Sequence, residues 1–344
     1  MSQQSNPRAL SVERRPLYVL PFILGTWFFL LLVPYLLFSL HAPLLLWAPA
    51  FIFMGVQQHA LSLWMHEGSH WLLFANQRLN DSFSNLLLAN PVYVSLEAYR
   101  YRHFTHHEHL GIQRDTKRVI FTAVRGKAFV VFCIEACLGV AFFRMAGCYI
   151  QAILTAHRAA NFRTAEPTST TPTAMGSRIL TRARTHPTVE ASEGHAREDA
   201  GSTDVGVATN GRLEGWREQL GPWLSIATVQ LGIFTLFSIW THWTYYLLLW
   251  MLPFMTVFQL VAGLRALAEH HPPAGAEHPY TRALRPTWLD RILFCRAGFE
   301  YHWLHHQYPN IPCFNLRYME EEAGDPANRP AAGYLATLCA LVKA

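Results

Sequence analysis

The sequence predicts an all-α integral membrane protein, with four transmembrane helices in two hairpins and cytoplasmic or interfacial helices that carry a histidine-rich site. Three observations predict it. Of 344 residues, 51% are hydrophobic, 13% aromatic and only 15% charged, an oily, charge-poor mixture. Uncharged runs long enough to cross a bilayer come in closely spaced pairs. The chain also holds 18 histidines, half of them in tight clusters. Mean hydropathy is only +0.12 because one long polar stretch dilutes several very apolar ones.

Residues 17–40 carry no charge. At about 1.5 Å per helical residue this run covers the roughly 30 Å hydrocarbon core. It is too long for the apolar region of a signal peptide, and no small-residue cleavage site accompanies it. Arg14 and Arg15, just before it, place the N-terminus on the cytoplasmic side. The "HAP" at 41–43 is a turn signal, and residues 43–65 form the returning span. The "HEGSH" at 66–70 therefore emerges at the cytoplasmic surface on the same helix. Residues 223–240 and 244–264 make a second hairpin around "THW", closing at Arg265 on the cytoplasmic face.

Between the hairpins, residues 119–157 are hydrophobic but interrupted by Arg125, Lys127, Glu135 and Arg144. They read as helices lying in the interface. A fifth crossing here would put the later histidines on the opposite side from the first; a true span bearing an intramembrane charge is the competing reading. Residues 160–215 are rich in Ser, Thr, Pro, Gly and mixed charges with no apolar period, and are expected to form a disordered insert in a single domain of residues 1–344. His157, His186 and His195 in and beside it show no ligand spacing. The terminal "YLATLCALVKA" is expected to be a short interfacial helix without chemistry.

Net charge is +5, without a clustered Lys/Arg face, so nucleic acid is not an expected partner. The six cysteines (Cys133, Cys137, Cys148, Cys295, Cys313 and Cys339) contain no C-x-x-C pair and read as small buried hydrophobes.

"HEGSH" satisfies H-E-x-x-H, in which two histidines one turn apart hold zinc and the glutamate activates water. It equally satisfies H-x-x-x-H, the first of several clusters: His66 and His70, then His103, His106 and His107 in "HFTHH", then His302, His305 and His306 in "HWLHH". Spacings of three and four residues put the imidazoles of each cluster on one helix face. In "RALAEHH", His270 comes a turn and a half after Arg265, with His271 as a possible substitute. A catalytic zinc takes three protein ligands, and haem needs one or two, so nine imidazoles over-supply both. They suit two borderline ions such as iron, each with open positions for oxygen.

These residues are similar to the membrane fatty acid desaturase and hydroxylase family of histidine-box enzymes. The resemblance runs through "QQHALSLWMHEGSHWLLFANQRLND", "YRYRHFTHHEHLG", "RALAEHH" and "EYHWLHHQYPNIPCFNL", in the family's order, and covers nearly the whole chain apart from residues 160–215. It implies a di-iron centre whose ligands are His66, His70, His103, His106, His107, His270, His302, His305 and His306, with O2 as co-substrate. The implied reaction is desaturation or hydroxylation of the alkyl chain of a fatty acyl lipid, free in the membrane or carrier-bound. A carotenoid ketolase or hydroxylase is the alternative, and an intramembrane zinc protease a more distant one. The chain has no flavin or nicotinamide fingerprint, so electrons come from a separate protein; the family implies ferredoxin, or cytochrome b5 with its reductase.

Glu67, Asp115, Glu269 and Glu300 lie where they could accept the outer N–H of ligand rings; the competing reading is ordinary interfacial charge. Gln57, Gln58 and His59 fall inside the second span and are expected to face the bundle interior. His59 either lines a route to the metal or makes an interhelical contact.

Overall fold

The computed structural model describes residues 16–112, 115, 124–144, 146–147, 210–271, 281–296, 298–320 and 332–343, and among these no strand occurs. The helices in chain order are α1 (Pro16–Ser39), α2 (Trp47–Ser69), α3 (Gln77–Ser84), α4 (Leu96–Glu108) and α5 (Gly126–Cys137). There follow α6 (Asn210–Trp240), α7 (Trp243–His270), α8 (Trp288–Leu293), α9 (His302–Gln307) and α10 (Tyr334–Lys343). The chain divides into two units, Met1–Met145 with Arg217–Ala344, and Ala146–Trp216. In the second unit the described residues are helical; residues 210–215, expected to end a disordered insert, belong to α6. The rest of that insert lies outside the described residues, as do His157, His186 and His195.

Among the described residues, four helices are long and apolar enough to cross a membrane: Tyr18–Ser39, Leu44–Ser69, Leu220–Trp240 and Trp243–His270. Their outward faces remain apolar, with Leu24, Phe28, Leu231 and Ile239 exposed, as expected of helices solvated by acyl chains. The "HAP" stretch turns sharply because His41 adopts a left-handed φ of 46° and Ala42 N donates to the Leu37 carbonyl at 3.0 Å. At "THW", His242 caps the start of α7, its Nδ1 accepting from Thr244 N at 3.4 Å.

α2 and α7 both run further than the apolar runs alone suggest, because their ends are covered by protein. Every residue of α2 from Met54 to Ser69 except Ser62 is buried. Gly55 permits this: a Cβ there would lie 2.5 Å from Val257 Cβ on α7. Gln58 Nε2 donates to the Trp250 carbonyl at 2.8 Å, and Arg296 reaches Gln57 Oε1 at 3.0 Å. His59 packs edge-on against Phe258 at 6.3 Å. All three residues thus tie elements together, as polar groups inside a span must.

Pro253 interrupts α7, and π turns at Leu247–Met251 and Phe254–Phe258 flank it. A proline in a helix interior removes one N–H and crowds the preceding turn, and wider turns absorb the clash. α5 has only 12 residues and is followed by Gly139 at φ 75°. At about 18 Å it is too short to cross a bilayer; much of 119–157 lies outside the described residues. α10, expected to be a short interfacial helix without chemistry, packs on α7 and buries Tyr334, Leu338 and Leu341.

Candidate metal centre

The first histidine pair sits where α2 stops. A helix end leaves unsatisfied carbonyls, and here they are taken up one by one. Trp71, left-handed at φ 56°, closes the end: its N–H donates to Gly68 O and that of Leu72 to Glu67 O, both at 3.1 Å. This is the Schellman pattern with tryptophan where glycine is usual. Asn80 Nδ2 donates to Gly68 O at 2.8 Å, and Arg100 Nε to Ser69 O at 2.8 Å. Arg100 also pairs with Asp81 at 2.6 Å and lies over the Trp71 ring at 4.0 Å. Gly68 is small by necessity, since a Cβ would fall 2.1 Å from Ser84 Oγ.

The second cluster lies on α4, which Ser95 starts by accepting from Ala98 N at 3.4 Å. The third lies on α9, entered through a turn in which Gly298 has φ 99°. His270 is the last residue of α7.

The nine histidines form two groups. Ring nitrogens of His66, His70, His103, His107 and His305 lie within 4.8 Å of one another, as do those of His106, His270 and His306. His302 joins the second group, its Nε2 lying 3.0 Å from His270 Nε2 and 3.2 Å from His306 Nε2. In the first group, Nε2 of His70 is 2.9 Å from that of His103 and 3.1 Å from that of His305. The groups touch where His107 and His306 stack at 4.2 Å.

Each H-x-x-H-H box is therefore split. His103 and His107 serve the first group while His106 serves the second; His302 and His306 serve the second while His305 serves the first. The one face that each cluster was expected to share is thus wide enough to serve both groups. At about 100° per residue, positions three and four apart diverge from the first by about 60° and 40° on opposite sides, so two neighbouring centres draw on one box.

Same-type nitrogens about 3 Å apart cannot all be satisfied by one proton each. His66 makes the point: it is buried, and neither ring nitrogen has a hydrogen-bond partner. The donor set fits metal ions, because imidazoles bound at about 2.1 Å to one ion bring their nitrogens about 3 Å apart. Burial also favours the neutral form of three of the rings, the form that binds a metal. Burial, then nearby Arg100, pushes His70 down to about 3. Burial and then neighbouring histidines push His302 and His305 well below the usual value.

The four carboxylates differ in what they touch. Asp115 Oδ1 is 2.8 Å from His106 Nδ1 with both side chains fully buried, and Gly111 N donates to its other oxygen at 2.9 Å. It orients that ring. Glu67 Oε2 accepts from Cys313 N at 3.0 Å and Oε1 stands 3.8 Å from His66 Nδ1, so its main bond ties the loop after α9 to α2. Glu300 accepts from Arg291 and from Gly298 N at 3.1 Å, holding the turn before His302 rather than a ring. Glu269 Oε1 accepts from Arg265 Nε at 2.8 Å and Tyr334 OH at 2.9 Å, and Oε2 is 3.7 Å from His302 Nε2.

Arg100, Asn80 and Tyr334 support the centre without any sequence signal that marks them, being single polar residues far from the ligands they steady. His271 does not replace His270: it accepts from Arg125 Nε at 2.9 Å and lies outside both groups.

A family model described as fatty acid desaturase matches residues 41–187 and 202–334, most of the chain. Among curated proteins, the chain is 34% identical over 73 residues to dihydrorhizobitoxine desaturase from Bradyrhizobium elkanii. The match takes in 20% of this chain and spans about a fifth, 21%, of that relative's length.

Proposed function

Since the chain belongs to the fatty acid desaturase family, we propose that it is a membrane-bound, O2-dependent oxidoreductase that desaturates the alkyl chain of a fatty acyl lipid, in the membrane or on a carrier. The observation that carries this reading is the convergence of nine buried or half-buried imidazoles on two adjacent points. His66, His70, His103, His107 and His305 would hold one iron; His106, His270, His302 and His306 the other. When bound, the irons supply O2 activation and the oxidising strength to take hydrogen from an unactivated C–H bond.

The chain's own residues do the rest. Burial keeps His70, His302 and His305 neutral. Asp115 accepts Nδ1–H of His106 and so presents Nε2 to the centre. Buried Phe299 packs against His66 at 6.2 Å and buried Trp64 against Phe299 at 5.2 Å, an apolar wall that supports exclusion of water on that side. Glu67, turned to the Cys313 amide, is poorly placed as the water-activating base of a zinc protease.

Electron balance requires a partner. Forming one double bond releases two electrons and two protons, and reducing O2 to two waters consumes four of each, so two electrons arrive from outside. Ferredoxin, or cytochrome b5 with its reductase, is the donor class proposed. Arg14 and Arg15 before α1 support a cytoplasmic placement of the site.

The test is expression in a desaturase-deficient host with iron analysis and lipid and pigment profiling. About two irons per chain and a new double bond in acyl chains are expected. About one zinc per chain, or altered carotenoids with unchanged acyl chains, would replace this reading. New alcohols in place of alkenes would make the enzyme a hydroxylase.

A further inference from the structure

Asp115 and Glu269 both stand beside a ligand ring, but they approach different nitrogens. Asp115 meets His106 at Nδ1, at hydrogen-bond distance, which leaves Nε2 as the nitrogen open to a metal. This is how an outer carboxylate fixes a ligand's orientation. Glu269 instead approaches Nε2 of His302, the nitrogen that itself faces Nε2 of His270 at 3.0 Å and of His306 at 3.2 Å. The gap of 3.7 Å is too long for a hydrogen bond. A donor oxygen of Glu269 lies within 4.8 Å of the ring nitrogens of both His270 and His302. The carboxylate is buried, and Arg265 and Tyr334 both donate to Oε1, which fixes the direction of Oε2.

Building on the di-iron reading, we infer that Glu269 is itself a ligand of the second iron, through Oε2, with Arg265 and Tyr334 as positioning residues. The two irons are then chemically unlike. One is held by five neutral imidazoles, the other by four and a carboxylate. Anionic oxygen is a harder ligand than imidazole and favours the more oxidised ion, so the two sites differ in spectrum and in ease of reduction.

The experiment uses the full chain, purified in nanodiscs and loaded with 57Fe, comparing wild type with Glu269→Gln and Glu269→Asp by metal analysis and Mössbauer spectroscopy. Wild type should show two inequivalent iron sites of equal area. Glu269→Gln should alter or empty one of them, with retention there falling more than tenfold, and leave the other unchanged as an internal control for folding. Glu269→Asp keeps the charge beside Arg265 but withdraws the oxygen, and should perturb the same site. Both irons retained with unchanged spectra in either variant would overturn the assignment of Glu269 while leaving the di-iron reading intact; a wild type without iron would overturn both.

Discussion

Arg100 Nε donates to the Ser69 carbonyl at 2.8 Å, and the same guanidinium pairs with Asp81 and covers Trp71. One side chain on α4 thus closes the end of α2 between His66 and His70. Lysine cannot reproduce a planar fork that serves a carbonyl, a carboxylate and an aromatic face at once. Arg100→Lys should lower stability by about 1–3 kcal/mol and loosen iron at the five-histidine group. Thermal unfolding and iron retention during dialysis measure both; a variant indistinguishable from wild type would remove Arg100 from its supporting role.

Gly68→Ala should be among the most damaging small changes, because the new methyl meets Ser84 Oγ at 2.1 Å and Ser84 Cβ at 2.8 Å. Overpacking of this kind costs about 1–3 kcal/mol. Ser84→Gly in the same chain removes both clashing atoms and should restore part of the loss. Equal instability of the single and double variants would show that the contact is not the cause.

The split boxes make an unusual demand on alanine scanning. His103→Ala and His106→Ala are three residues apart, yet should empty different ions. The first variant should weaken the site of His66, His70, His107 and His305, and the second that of His270, His302 and His306. Mössbauer spectra in which both variants lose the same doublet would refute the division.

Asp115→Asn keeps the size of the side chain but removes the charge that accepts from His106 Nδ1. Loss of such an outer carboxylate typically weakens metal affinity about 10–100-fold. Competition with a chelator reads this directly, and retention at the wild-type level would mean that the Gly111 amide bond is the only one that matters.

Acid should destabilise the metal-free protein. His70 in the folded chain is pushed to about 3 from an unfolded value of 6.5, and His302 and His305 move the same way. Above pH 6.5 both states are neutral and nothing is lost. As pH falls from there, the unfolded chain takes up protons that the folded chain excludes, so stability declines, and each such histidine adds to the slope. For His70 the decline continues to about pH 3. Denaturation midpoints at pH 7.5 and 5.5 test the sign, which an increase on acidification would reverse.

The sequence makes the four spans legible because an uncharged run of such length has few other uses, and the nine histidines legible because their spacing repeats the helical turn. The division of His106 from His103 and His107 was hidden, since a shared spacing reads as a shared face until a second centre stands beside the first. Tyr334 was hidden for another reason. "YLATLCALVKA" reads as a short interfacial helix without chemistry, and only the burial of Tyr334 against Glu269 shows that it reaches the site. Glu67 and Glu300, grouped by position with Asp115, accept from backbone amides instead, Glu67 from a distant loop and Glu300 within its own turn.

The two wide turns around Pro253 set the phase of everything after them on α7. Each accommodates one residue more than an ordinary turn of the same rise, so deleting one there would rotate the far half of the helix by about 100°. His270 would swing away from His302, and Glu269 with it. Lipid-facing substitutions along this helix are expected to be tolerated freely, whereas a single-residue insertion or deletion between Pro253 and Arg265 is expected to disassemble the second half of the centre without touching any of its ligands.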